Sequence, residues 1–216
     1  MIQLKKVSKF YRKQGKISSE IFLNLNTEIN EKDFICLLGG NGTGKTTLLR
    51  LIKKIILPNT GVVKYSNDID DGCIALVSQN YRSFFLNLTL EQNLEFFIGI
   101  SGKDRKVDVE LKEKLLKGFE LIDYKQSFLS ELSAGQLKKL SLIRSILQQP
   151  KIFLFDEVAS SIDSRSKDYL MNFLRELIAS KKIYAVVWAT HNPSEVDKMY
   201  TKTWVLKDCN IKSQIK

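Results

Sequence analysis

Gly39-Gly40-Asn41-Gly42-Thr43-Gly44-Lys45-Thr46-Thr47 lies between two apolar runs of different character. Phe34-Ile35-Cys36-Leu37-Leu38 before it reads as a buried strand, and Leu48-Leu49-Arg50-Leu51-Ile52 after it reads as a helix. The spacing G-x-x-x-x-G-K-[ST], entered from a strand and left by a helix, describes a P-loop, a loop shaped to hold phosphate. Its glycines let backbone N–H groups curl around anionic oxygens with no Cβ in the way. The helix that starts near Lys45 adds unpaired N–H donors and a partial positive charge. Lys45 is expected to reach the β- and γ-phosphates of a nucleotide, and Thr46 to ligate Mg²⁺. A plain glycine-rich turn needs neither the lysine nor the flanking strand and helix. Charge picks out the lysine: two unit charges about 4 Å apart attract by roughly 4 kcal/mol at an effective dielectric near 20.

Two further strand ends carry polar groups of the right kind. Ile152-Phe153-Leu154-Phe155 is a short apolar run that ends in Asp156-Glu157. Asp156 at the strand terminus suits Mg²⁺, which prefers oxygen ligands. Glu157, one residue on, points elsewhere and can orient or deprotonate an attacking water. Two solvated acids closing a strand are the plain alternative, and the P-loop upstream argues against it. His191, the only histidine, follows Tyr184-Ala185-Val186-Val187-Trp188-Ala189-Thr190. The end of a buried strand is where α/β sheets gather ligand groups, so His191 is assigned to the γ-phosphate and the attacking water. Leu132-Ser133-Ala134-Gly135-Gln136 opens an amphipathic helix. There Ser133 can cap the helix, and Gly135 lets backbone approach phosphate.

With 216 residues, 44% of them apolar and 27% charged, the chain suits one sizeable α/β domain or a core with a smaller insertion. No apolar run approaches membrane-spanning length, and the start of the chain alternates like a strand rather than a signal peptide. A cytoplasmic address is the default expectation. The net charge of +10 would favour nucleic acid or an anionic membrane if it were concentrated. The lysines are instead spread along the chain without a basic run, so no nucleic acid is expected as a partner. Cys36, Cys73 and Cys209 form no C-x-x-C pair and are expected to be free, buried thiols.

In chain order, the first third reads as short strands over Ile2 to Val7 and Glu20 to Ile29, with Phe10-Tyr11 in a basic turn between them. Tyr11 either stacks on an adenine ring or covers a sheet edge. After Ser78 the pattern turns helical, over Leu90 to Ile98, Val109 to Leu121 and Gln136 to Leu147. The expected division is an α/β core at 1–78 and 150–216 with a helical subdomain at 79–149. A helix from Arg165 to Ala179, a strand from Tyr184 to Trp188 and two short strands close the pattern.

Taken together, the motifs resemble those of the nucleotide-binding subunit of ATP-binding cassette (ABC) transporters, over nearly the entire chain. Gly39 to Thr47 is similar to Walker A, Ile152 to Glu157 to Walker B, and Leu132 to Gln136 to the signature usually written LSGGQ, with Ala134 in place of a glycine. Gln79 corresponds to the Q-loop, contributing to catalysis and the metal site, His191 to the switch histidine, Asp163 in Ser161-Ile162-Asp163 to the D-loop acid, and Tyr11 to the aromatic A-loop. The resemblance implies a P-loop NTPase (RecA-like) α/β core with an antiparallel β subdomain and an inserted α-helical subdomain. It implies ATP and Mg²⁺ as cofactors, contacts to nucleotide from the whole stretch Gly39, Gly40, Asn41, Gly42, Thr43, Gly44, Lys45, Thr46 and Thr47, and catalysis by Lys45, Gln79, Glu157 and His191. It further implies a second cassette, as a homodimer closing head to tail so that Ser133 and Gly135 of one chain complete the site of the other. An integral membrane subunit would be the other partner, with this chain peripheral on the inner membrane face. Val158-Ala159 stands where the family often has proline, which leaves the D-loop geometry open. The aromatic stretch from Tyr81 to Phe97 resembles that of exporter ATPases for drug, polysaccharide or lipid, with the haem exporter of cytochrome c maturation second. Phe84, Phe85, Phe96 and Phe97 are then either the receiving surface for the membrane subunit or the subdomain's own core. A soluble ABC ATPase, for iron–sulfur assembly or nucleic-acid work, is the alternative function.

Overall fold

The computed structural model describes residues 1–13, 16–78, 84–101, 105–158, 162–196 and 199–215. Among the described residues nine strands form two sheets. β1 (Ile2–Lys13), β2 (Lys16–Ile29) and β4 (Thr60–Tyr65) make an antiparallel sheet in the order β2-β1-β4. The larger sheet has the order β5-β6-β7-β3-β8-β9, from β3 (Phe34–Leu38), β5 (Ile74–Val77), β6 (Ile152–Asp156), β7 (Ala185–Thr190), β8 (Lys202–Lys207) and β9 (Asn210–Ile215). Its strands are parallel except β9, which turns back on β8. That last hairpin uses a two-residue turn, Asp208-Cys209, with φ of 53° and 57°, the primed geometry that matches strand twist. The turn docks on the other sheet, where Leu23 N donates to Cys209 O at 3.1 Å.

The apolar runs of the large sheet are buried on both faces, as expected of parallel strands, and strand alternation divides them. Phe34, Cys36, Phe153, Phe155, Val186 and Trp188 face one core. Ile35, Leu37, Ile152, Leu154, Val187 and Ala189 face the other. The first core is closed by α2 (Leu90–Ser101), α3 (Arg105–Gly118), α4 (Ala134–Leu147) and α5 (Ser164–Ala179). The second is closed by α1 (Lys45–Ile52) and the antiparallel sheet. Trp188 packs on Phe155 with ring centres 4.8 Å apart and on Phe34 at 6.5 Å. Such pairs add about 0.5–1.5 kcal/mol each beyond burial, and here they bind together the three strands that end at the site.

Two expectations are corrected. Phe10 and Tyr11 lie within β1, not in a turn, because β1 and β2 keep pairing as far as Lys13 with Lys16. The basic character there marks an exposed hairpin arm. Cys36 is buried, but Cys73 closes a short 3₁₀ turn over Asp71–Cys73 and, like Cys209, is only half-buried; all three are free thiols. The aromatic stretch is divided: Phe84 is buried and Phe97 packs against the core, whereas Phe85 and Phe96 are 46% and 43% exposed. Its first residues, Tyr81 to Ser83, lie outside the described residues, as does Ser161. Among the described residues no helix is long and apolar enough to cross a membrane.

Candidate active site

In the loop from β3 to α1, two glycines stand where a Cβ would meet a neighbouring atom. Gly44, at the N-cap of α1, has φ of 103°, and a Cβ there would lie 2.5 Å from Ile21 Cγ2. A Cβ on Gly39 would lie 2.5 Å from Thr43 Oγ1. Thr43 folds the loop by donating its hydroxyl to Gly40 O at 2.9 Å, and Leu48 N to Gly44 O at 2.8 Å starts the helix.

Lys45 is only 5% exposed and turns back under this loop. Its Nζ donates to Gly39 O at 2.7 Å and Gly40 O at 3.1 Å, and lies 3.0 Å from Glu157 Oε1. Glu157 has φ of 55°, left-handed for a residue with a side chain, and its N–H donates to Ala189 O on β7 at 3.0 Å. Such a backbone costs about 1–2 kcal/mol, and it turns the carboxylate out of the strand direction toward Lys45. Beside them, Thr46 Oγ1 donates to Asp156 Oδ2 at 2.8 Å. Burial raises the Asp156 pKa above the ordinary value; the Thr46 hydroxyl opposes this, and Glu157 adds to it.

Gly40, Asn41, Gly42, Gly44, Lys45, Thr46, Thr47, Asp156 and Glu157 line one open cavity of about 570 Å³. Gly39 and Thr43, expected with the rest of the stretch, do not line it. Ile21, Arg50 and Ser78 complete the wall, and none of the three was expected from sequence. Arg50 had a signal, since it stands four residues after Thr46 on one helix face. Ser78 had a weaker one, at the end of β5. Ile21 arrives from the other sheet and had none.

The other candidates are placed elsewhere. His191 is exposed just beyond β7. Tyr11 is 44% exposed, with Lys9 Nζ 5.3 Å from its ring centre. Gln79 lies outside the described residues. Ser133 caps α4: its Oγ accepts from Gln136 N at 3.3 Å while Gln136 Oε1 accepts from Ser133 N at 2.8 Å. Gly135 follows on the first turn, and neither residue lines the chain's own cavity. Asp163 caps α5, accepting from Ser166 N at 2.9 Å and Ser166 Oγ at 3.0 Å, with Lys139 Nζ at 2.7 Å. Lys139 above all, then the Ser166 donors, holds its carboxyl far below the ordinary range.

The glycine cradle and buried ammonium fit a polyphosphate, and the adjacent Thr46 and Asp156 oxygens are the hard donors that Mg²⁺ takes.

Residues 22–160 match the family described as ABC transporter. The chain is 30% identical over 214 residues to the ergothioneine transport ATP-binding protein EgtV of Helicobacter pylori (strain G27), covering 96% of this chain and 97% of that protein. It is 32% identical over 200 residues to the Fe(3+) ions import ATP-binding protein FbpC of Fusobacterium nucleatum subsp. nucleatum, covering 88% of this chain and 53% of that protein. Among solved structures, the dimeric post-hydrolysis state of the ATP-binding cassette MJ0796 bound to ADP and Pi superposes with a TM-score of 0.84, at 25% identity, over 100% of this chain and 98% of that one.

Proposed function

The chain belongs to the ABC transporter family, as an ATP-binding subunit that hydrolyses ATP to drive transport, and from that premise we propose how its residues divide the work. The observation that carries the assignment is the convergence of Lys45, Thr46, Asp156 and Glu157 on one cavity walled by glycines. Backbone N–H groups from Gly40 to Thr47 and the Lys45 ammonium bind the ATP phosphates. Thr46 and Asp156 would hold Mg²⁺, which when bound would neutralise charge on the phosphate oxygens. Glu157 orients and deprotonates the attacking water. In the structure that carboxylate is engaged by Lys45. An entering phosphate competes for the same ammonium, so substrate binding is what releases Glu157. His191 is assigned to the γ-phosphate and water, Gln79 to catalysis and the metal site, and Tyr11 to the adenine.

Ser133 and Gly135 stand on a helix start away from the chain's own cavity. We assign them to the site of a second copy, with Asp163 beside the shared boundary, and the dimeric state of the MJ0796 cassette supports pairing of two cassettes. An integral membrane subunit is the further partner, with the chain peripheral on the inner face. The exposed pair Phe85 and Phe96, edge to face at 4.9 Å, is an apolar feature suited to receive it. Export is the direction proposed, on the likeness of this aromatic segment to exporter ATPases. FbpC is named for import, so direction is tested separately, by ATP-driven flux in vesicles carrying the assembled transporter; uptake from the opposite face would overturn it.

The test of the site is Glu157→Gln. We expect retained ATP binding, turnover lower by about 10²–10⁴-fold, and a closed dimer in Mg-ATP by light scattering. A variant that stays monomeric at every concentration would overturn the shared site.

A further inference from the structure

α4 begins at the Ser133 cap, passes Lys139 and reaches Arg144 in its last turn. The Arg144 guanidinium carbon lies 4.6 Å from the ring centre of Phe84 and 4.7 Å from that of Phe97. Those two rings meet edge to face at 5.8 Å. Phe97 in turn touches the exposed pair, with ring centres 5.4 Å from Phe96 and 6.4 Å from Phe85. On its other side, Arg144 lines a second cavity of about 460 Å³ whose wall includes Thr46, Ser78 and Asp156. Those three also line the nucleotide cavity. One planar cation thus packs on the inner rings of the aromatic cluster and shares a cavity wall with Thr46, Ser78 and Asp156. A guanidinium can lie flat on rings while keeping in-plane donors, which an ammonium cannot. Burial lowers the pKa of Arg144 from its ordinary value, and a cation kept in such a place needs compensating contacts.

We propose that Arg144 is a positioning residue that couples the Phe85–Phe96 surface to the Asp156 side of the ATP site. A partner pressing on the outer rings shifts Phe97, the guanidinium follows the ring faces, and the wall behind Asp156 changes with it. The reading rests on the assignment of the cavity to ATP. Coupling of this kind is reciprocal, so nucleotide must also alter the aromatic surface, and this can be measured without the membrane subunit.

The experiment places a thiol at Phe96 (F96C) in a C73S/C209S background, leaving buried Cys36, and measures its modification rate by a maleimide with and without Mg-ATP, in dilute protein. With Arg144 present, nucleotide should change the rate by roughly fivefold or more, the lower end of usual coupling factors. In R144K, which keeps the charge, the change should fall below about twofold, with the ATP Kd within about threefold of its parent. F97L, which keeps Arg144 but removes a ring, should uncouple in the same way and decides the matter if R144K fails to fold. An unresponsive thiol in the Arg144 background, or the same response in R144K and F97L, overturns the proposal. A purely structural role would move the melting temperature but leave the ratio of rates unchanged. Loss of ATP binding in the parent protein would overturn the site assignment and the coupling together, whereas normal binding with an unresponsive thiol overturns the coupling alone.

Discussion

Asp156 shows at a single position how function opposes stability. Its carboxyl is half-buried, and burial raises its pKa. The sign follows: in acid the group is protonated in both folded and unfolded chains and costs little, and the penalty for burying its charge appears as pH rises through the folded pKa. Asp156→Asn should therefore stabilise the nucleotide-free protein at pH 7–8, by about 1 kcal/mol or roughly 2–4 °C, with the gain fading toward acid. The same substitution should abolish most of the added stability conferred by Mg-ATP. Calorimetry with and without Mg-ATP across pH checks both; a variant melting below its parent at pH 8 would refute the first. At this scale the loop and its acids were legible because strand, glycines, lysine and helix are contiguous in sequence. Ile21 was not, because its contact with Gly44 joins two sheets, and no local pattern records it.

Among the elements, α4 and α5 are joined by one ion pair. Asp163 is both the cap of α5 and the partner of Lys139 on α4. Its lowered pKa means that this support is present above the ordinary carboxylate range and is lost as pH falls toward the folded value. The carboxylate is nearly half-exposed, so solvent screens the ion pair, and the cap sets the size of the effect. Asp163→Ala should cost about 1 kcal/mol, or roughly 2–4 °C, at pH 7, and the difference from wild type should vanish in strong acid. Equal melting temperatures at pH 7 would refute it. Helical periodicity located both helices, but a pair between distant turns has no periodicity to follow. The aromatic stretch was ambiguous for a related reason. Phe84-Phe85 and Phe96-Phe97 are neighbours in sequence, and adjacent residues face different ways, so each pair gives one ring to the core and one to solvent.

For the molecule as a whole, the decisive test is complementation. Lys45→Ala should disable the loop of one chain, and Ser133→Arg the helix start it offers to another. Each variant alone should be inactive. Mixed, they form heterodimers in which both lesions fall in one shared site and the other is intact, so roughly a quarter of wild-type turnover should return, from half the dimers having one live site each. No recovery on mixing would refute the shared site. Sequence disclosed the architecture because parallel strands buried on both faces appear as unbroken apolar runs. It could assign Ser133 to a second copy's site only through resemblance, since no pattern within one chain records which site the start of α4 serves. The grip of Lys45 on Glu157 then has a consequence for economy in the cell. With Glu157 as the proposed base, a chain waiting for fuel would keep that base occupied by the cation that the fuel must claim, and the engine would not idle. On that proposal consumption would begin only when a nucleotide had been seated, and the signal would be the release of the group that is to spend it.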